Sequence, residues 1–305
     1  MSFWIDENTR LIVQGITGRE GKFHAEQMQL YNTNVVAGVT PGKGGTEVLG
    51  VPVYNTVLEA KEKENANASV LFVPPKYLYG AAYEAIMSGV PLVLTIAEGT
   101  PVHDMLKLHH LAKEKGVRLV GPNSFGVISP GKAKAGFMAH RIFAPGRVGI
   151  MSRSATNCYE TVFLMKKQGI GQSTVVGVGG DMIPGSTFRD TLPFFEADDE
   201  TDVIVMIGEI GGSEEELAGE YIKEHITKPV IALIAGKNAP EDTSMGHAGA
   251  IVSPGGEGSA ESKEKVLREA GCHIAESTED IVTILKKLVG GNPGDPSAAE
   301  AAAGR

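Results

Sequence analysis

The chain has 305 residues, 39 of them glycine, about 13% against an average near 7%, and a formal charge of −9 from 28 basic and 37 acidic residues. That charge excludes non-specific attraction to a nucleic-acid backbone or an anionic membrane, so an anionic ligand needs a local site. Two cysteines, Cys158 and Cys272, are too few for a disulfide framework or a thiolate metal cage and fit a cytoplasmic compartment, and neither a signal peptide nor a membrane span is expected.

At roughly 100–200 residues per domain the length suggests two domains, and short β-branched runs alternate with helical stretches throughout, the pattern of an α/β fold with parallel sheets. In chain order the first half reads strand Leu11–Val13, a helix from about Lys22, strands Val35–Val39 and Val70–Val73, helix Tyr79–Met87, strand Leu92–Ile96, helix Met105–Lys115 and strand Arg118–Val120. This Rossmann-like domain is expected over 1–121. Prolines 122, 130 and 145 with little periodicity mark a connector over 122–146. A second domain, 147–288, reads strand Val148–Met151, helix Tyr159–Gln168, strand Val175–Val178, helix Phe188–Phe195, strand Val203–Ile207, helix Glu214–Glu224, strand Val230–Ala235 and helices Glu261–Ala270 and Ile281–Leu288. Turn formers from Gly290 and an alanine-rich end make 289–305 a flexible tail.

The first strand runs into Gly15-Ile16-Thr17-Gly18-Arg19-Glu20-Gly21-Lys22. Glycines let backbone approach a phosphate, and the free N–H groups of a helix start supply donors and a positive dipole end. The Gly-x-x-Gly-x-x-Gly spacing misses the dinucleotide fingerprint, and the next strand ends in Thr40-Pro41-Gly42-Lys43-Gly44-Gly45, a lysine-bearing turn, in place of the ribose-binding acid. A phosphate-bearing ligand and a merely tight strand–helix turn both fit these residues. Ile96-Ala97-Glu98, at another strand end, faces the same crevice. No P-loop occurs.

In the second half Ser152-Arg153-Ser154-Ala155-Thr156-Asn157 opens a helix with hydroxyls, either as plain capping or as a phosphate cradle. Of eight histidines, His24, His103, His109, His110, His225 and His273 lack companions. His247 differs: Gly246-His247-Ala248-Gly249-Ala250 surrounds the imidazole with residues too small to block it. Glu209, in Gly208-Glu209-Ile210-Gly211-Gly212 at the end of strand Val203–Ile207, is placed to accept a hydrogen bond from one ring nitrogen and leave the other nucleophilic.

Together with Gly121-Pro122-Asn123, these motifs resemble the α subunit of succinyl-CoA synthetase, the nucleoside-diphosphate-forming succinate–CoA ligase, in order over about residues 1–288. The resemblance implies a CoA-binding Rossmann-like domain followed by a flavodoxin-like parallel α/β ligase domain, and an ATP-grasp β subunit carrying ATP or GTP with Mg2+. Carried over by residue, Thr17, Gly18, Arg19, Glu20, Lys43, Ile96, Ala97 and Glu98 fall on CoA-contacting positions. His247 falls on the phosphorylated histidine, Glu209 on the carboxylate that holds its ring, Tyr159 on a substrate-associated position, and Ser154, Ala155 and Thr156 on the phosphate-binding helix start. The implied reaction passes a phosphoryl group from nucleotide to His247, then to a carboxylate, and the CoA thiol attacks the acyl phosphate.

The chain departs from the family around the acyl and phosphoryl centre. Asn123-Ser124-Phe125-Gly126 replaces Asn-Cys-Pro-Gly, Ala155 and Asn157 replace Gly and Leu, Ala139-His140-Arg141 replaces Pro-Gly-His, and Glu241-Asp242-Thr243-Ser244 replaces basic residues. The expected acid is therefore succinate or another small anionic carboxylate, such as malate, citrate or a sulfonated acid, with Asn123, Ser124 and Phe125 among the residues shaping its site. The alternative is a non-catalytic CoA-binding or regulatory paralogue.

Overall fold

The computed structural model describes residues 4–238, 246–247, 249–250, 252 and 258–289. The segment 241–244, Ala248 and the tail from Gly290 onward lie outside the described residues.

The first sheet contains β1 (Arg10–Gln14), β2 (Asn34–Val39), β3 (Glu47–Val48), β4 (Val51–Tyr54), β5 (Ala68–Leu71), β6 (Leu92–Thr95) and β7 (Arg118–Val120), in the spatial order β3-β4-β2-β1-β5-β6-β7. Only the β3–β4 hairpin is antiparallel. Without β3 the order is that of a Rossmann sheet, whose ligand crevice opens where strand order reverses, between β1 and β5. Helices α1 (Arg19–Gln29), α2 (Val57–Glu64), α3 (Pro75–Met87) and α4 (Val102–Lys115) cover its faces, which is why β5 and β6 are buried along their whole length. The strand expected to reach Val73 stops at Leu71 because Pro74 and Pro75 have no N–H to pair, and Pro75 starts α3 instead.

The second sheet contains β8 (Gly126–Ser129), β9 (Ala133–Gly136), β10 (Pro145–Ser152), β11 (Gln172–Gly177), β12 (Val203–Glu209), β13 (Val230–Ala235) and β14 (His273–Ile274), ordered β14-β13-β12-β10-β11-β8-β9. Its five parallel strands follow the flavodoxin-like order, with α5 (Ala155–Lys167), α6 (Phe188–Ala197), α7 (Glu214–His225), α8 (Ala260–Glu269) and α9 (Thr278–Val289) packed on them.

The stretch 122–146 is not an irregular connector: it folds into the β8–β9 hairpin, and β8 pairs antiparallel with β11. All eight strand residues of this hairpin are buried, so the alternation that betrays a half-exposed strand is missing from its sequence. Apolar residues of both halves, among them Val13, Val120, Met151 and Ile204, join one buried cluster. Among the described residues no helix is long and apolar enough to cross a membrane.

Candidate functional site

The site forms where the C-terminal ends of β1, β2 and β6 meet those of β10, β11 and β12. After β1 the chain turns at Gly15 with φ +78°, and a Cβ there would lie 2.4 Å from the Phe72 carbonyl oxygen, so only glycine fits. Gly18 then caps α1 without a side-chain acceptor, leaving first-turn N–H groups unpaired within the helix. Thr17, Gly18, Arg19 and Glu20 are all exposed. The Thr17 hydroxyl donates to Thr40 Oγ1 at 3.2 Å, tying this turn to the one after β2. There Asn55 Oδ1 accepts from both Gly42 N and Gly44 N at 2.9 Å, which braces the loop and leaves Lys43 exposed at its tip.

The third segment connects the two sheets. Ile96 and Ala97 are half-buried and Glu98 is exposed after β6. Asn123 N donates to the Ala97 carbonyl at 3.0 Å, and Gly180 N donates to the Asn123 carbonyl at 3.2 Å. The ring of His247 lies against Gly180, where a Cβ would meet its Cγ and Nδ1 at 2.5 Å. One backbone relay therefore joins the Ile96–Glu98 segment to the imidazole.

Glu209, at the last position of β12, is 2.6 Å from His247 Nδ1 through Oε2. A carboxylate only accepts, so Nδ1 carries the proton and Nε2 keeps its lone pair in the neutral ring. This hydrogen bond is the main cause that raises the imidazole pKa above its ordinary value; burial opposes it, the Glu209 charge adds to it, Arg153 lowers it and Glu98 raises it. The other carboxylate oxygen, Oε1, is 3.1 Å from Arg153 Nε, and Arg153 and Glu209 are only 7% and 6% exposed. Behind them Arg153 Nη1 is 3.7 Å from Glu215 Oε1. Glu215 also accepts from Glu209 N at 3.1 Å and pairs with the fully buried Lys263. Asp181 adds a buried carboxyl whose pKa is raised by burial.

The Ser154 hydroxyl caps α5 by accepting from Asn157 N at 3.2 Å, so capping is real, while the first-turn N–H groups of Ala155 and Thr156 still lack intrahelical acceptors. Because Arg153 N donates to Ile207 O at 3.0 Å, this helix start lies at the same sheet edge as Glu209. Ser124, Phe125 and Tyr159 are placed differently. Ser124 is buried and donates to the Gly177 carbonyl at 2.5 Å. Phe125 is 2% exposed against Gly177 and packs edge-on to Tyr159 at 5.8 Å, and Tyr159 is also edge-on to Phe143 at 6.2 Å. These three support the sheet edge from within, and of the Asn123–Phe125 segment only Asn123 reaches the relay.

The sequence had assigned no role to Gly180, Asp181, Arg153, Glu215 or Lys263. The only local signal was Arg153 itself, an arginine directly after a buried strand. Gly180 gives a direct check. Its Ala substitution is expected to push the ring out of line with Glu209 and slow chemistry at His247 by about 100-fold, with the melting temperature within a few degrees of the original; rate and thermal melting measure the two effects separately.

Two family models match: a CoA binding domain over residues 6–99 and a CoA-ligase over residues 151–273. The alpha 2 subunit of an ADP-forming succinate–CoA ligase from Archaeoglobus fulgidus is 50% identical over 289 residues, 95% of this chain and 100% of that protein. The corresponding Aquifex aeolicus alpha subunit is 50% identical over 291 residues, 95% of each. A malate–CoA ligase alpha subunit from Methylorubrum extorquens is also 50% identical, over 90% of this chain and 94% of its own. Among solved structures, ATP citrate lyase from Methanothrix soehngenii in complex with citrate and coenzyme A shares the fold with a TM-score of 0.84 at 24% identity, over 98% of this chain and 55% of that one.

Proposed function

Because the chain belongs to the family of succinate–CoA ligase alpha subunits, we propose that it supplies the CoA site and the phosphoryl-carrying histidine of a nucleoside-diphosphate-forming acid–CoA ligase. The observation that carries this reading is the 2.6 Å contact of His247 Nδ1 with Glu209, on a ring joined through Gly180 and Asn123 to the Ile96–Glu98 segment.

In this reading the turn Thr17–Glu20 offers backbone donors and the dipole of α1 to the CoA pyrophosphate, Lys43 pairs with a CoA phosphate, and Ile96, Ala97 and Glu98 flank the rest of the molecule. An ATP-grasp beta subunit holds ATP or GTP with Mg2+. Nε2 of His247 attacks the γ-phosphorus, an N–P bond forms and the nucleoside diphosphate leaves. The acid's carboxylate oxygen then attacks that phosphorus and the N–P bond breaks, giving an acyl phosphate, while the α5 start with Ser154, Ala155 and Thr156 cradles the phosphoryl oxygens. The CoA thiol attacks the acyl carbon, and inorganic phosphate departs with the thiol proton. Glu209 holds Nδ1–H throughout.

The acid is a small anionic carboxylate. The malate–CoA ligase relative is as similar as the succinate–CoA ligases, so succinate and malate lead, with citrate and sulfonated acids as further members of the class. Arg141 lines a cleft of about 250 Å³ with His140 and with Phe23 and His24 of α1, and its guanidinium suits a second anionic group on the acid. The intact His247–Glu209 pair favours a catalyst over a regulatory paralogue. Both cysteines are free and buried, in keeping with a cytoplasmic enzyme. Co-expression with its beta subunit and assay over these acids is expected to give thioester that requires CoA and nucleotide, with one acid preferred. No thioester from any acid in an assembled complex would overturn the reading.

A further inference from the structure

Glu209 is held from two sides by groups that the phosphoryl-transfer scheme does not use. Arg153 Nε lies 3.1 Å from its Oε1, and its peptide N–H donates to Glu215. Glu215 also stands 3.7 Å from Arg153 Nη1 and pairs with Lys263, which donates to the Gly211 carbonyl at 2.8 Å. Lys263 is 3.5 Å from Glu216 as well. The four groups Glu209, Arg153, Glu215 and Lys263 alternate in sign and sum to zero. They are almost wholly removed from water, where a charge needs an opposite partner close by.

We propose that Arg153, braced by Glu215 and Lys263, is the positioning residue of His247: it holds the Glu209 carboxylate in one orientation and offsets its charge, so that Glu209 accepts only from Nδ1–H and Nε2 stays free to accept phosphoryl. This rests on the reading of His247 as phosphoryl carrier. Without Arg153 the Glu209 charge is unopposed and draws the imidazole towards its doubly protonated form, which has no lone pair to attack phosphorus. Among the described residues, the groups acting on the ring include Glu209 from β12, Arg153 from the end of β10, Glu98 from the end of β6 and Asp181 from the loop after β11. Arg153 is the only cation among these four, so its loss raises the proton affinity of the ring. Glu214, Glu215 and Lys263 act on Arg153 from α7 and α8.

The test is the pH dependence of His247 phosphorylation by nucleotide in the complex with the beta subunit, for the natural chain, R153K and R153Q. Phosphorylation requires the neutral ring, so a raised pKa moves the acid limb of the profile to higher pH. R153Q is expected to move that limb up by about one unit and to lower the rate near neutrality about tenfold. R153K keeps the charge but cannot span Glu209 and Glu215 together; its limb stays in place and its rate falls several-fold. An arginine with only a structural part would lower rate or yield equally at all pH values. An unchanged acid limb in R153Q overturns the proposal, as does an R153K rate equal to that of the natural chain, the deciding result if R153Q does not assemble. If the natural chain itself is not phosphorylated on His247, the underlying reading fails instead.

Discussion

His247→Ala is expected to eliminate phosphoenzyme and to lower nucleotide-dependent thioester synthesis by about 10⁴-fold or more, the scale of losing a covalent nucleophile. No other described imidazole lies within hydrogen-bond distance of a carboxylate: His24 stacks on Phe72 at 4.9 Å and is 3.8 Å from Glu20, His225 is 3.6 Å from Glu224, and His140 stands 3.4 Å from Lys134. The imidazole rests on Gly180 at the edge of the fold, so its removal leaves the core intact and the melting temperature close to that of the natural chain. CoA affinity is expected to persist, since the turns at Thr17–Glu20 and Lys43 do not depend on the ring; calorimetric titration with CoA checks this. A variant that retained thioester synthesis would require a direct transfer from nucleotide to acid.

Glu209→Gln is expected to cost about 10³–10⁴-fold, because a side-chain amide donates where the carboxylate accepted, forcing the proton to Nε2 and leaving the wrong tautomer. The pH profile separates this cause from simple misplacement. Glu209 is the principal reason the His247 pKa is raised, so its neutralisation lowers that pKa. The neutral ring then persists to lower pH, and the acid limb moves down while the rate falls everywhere. Replacing Arg153 moves the limb the opposite way. Steady-state rates over pH 5 to 9 for the two variants therefore report on the Glu209–His247 hydrogen bond and on the ion pair behind it.

How much of this was legible in the sequence depended on distance along the chain. The turn at Gly15–Gly21 and the strand ends around Lys43 and Glu98 are local: glycine spacing and an apolar run specify them within a few residues. β7 and β13 match their expected limits because Gly121-Pro122 closes the one and Gly236-Lys237 the other directly after apolar residues. α2 was missed because Thr56 caps it ahead of only eight residues, too few for a clear helical period. The β8–β9 hairpin was hidden by burial on both faces. His247 and Glu209 stood out because each sits among residues of minimal bulk. Arg153, Glu215 and Lys263 did not, since Glu215 follows Arg153 by 62 positions and Lys263 follows Glu215 by 48, and each reads locally as an ordinary strand end or helix surface. Only the fold, by burying them together, turns three charges into one device. The same holds for Ser124 and Phe125, whose inward direction is set by the contact of β8 with β11.

The central claim is that this chain carries the phosphoryl group on His247. Incubating the complex of this chain and its beta subunit with γ-labelled nucleotide, then mapping the label, tests it most directly. The expected result is one acid-labile, alkali-stable phosphoryl group per chain on the peptide containing His247, discharged when the acid and CoA are added. Label on any other residue, or thioester formed from nucleotide, acid and CoA with no label ever found on this chain, would contradict it.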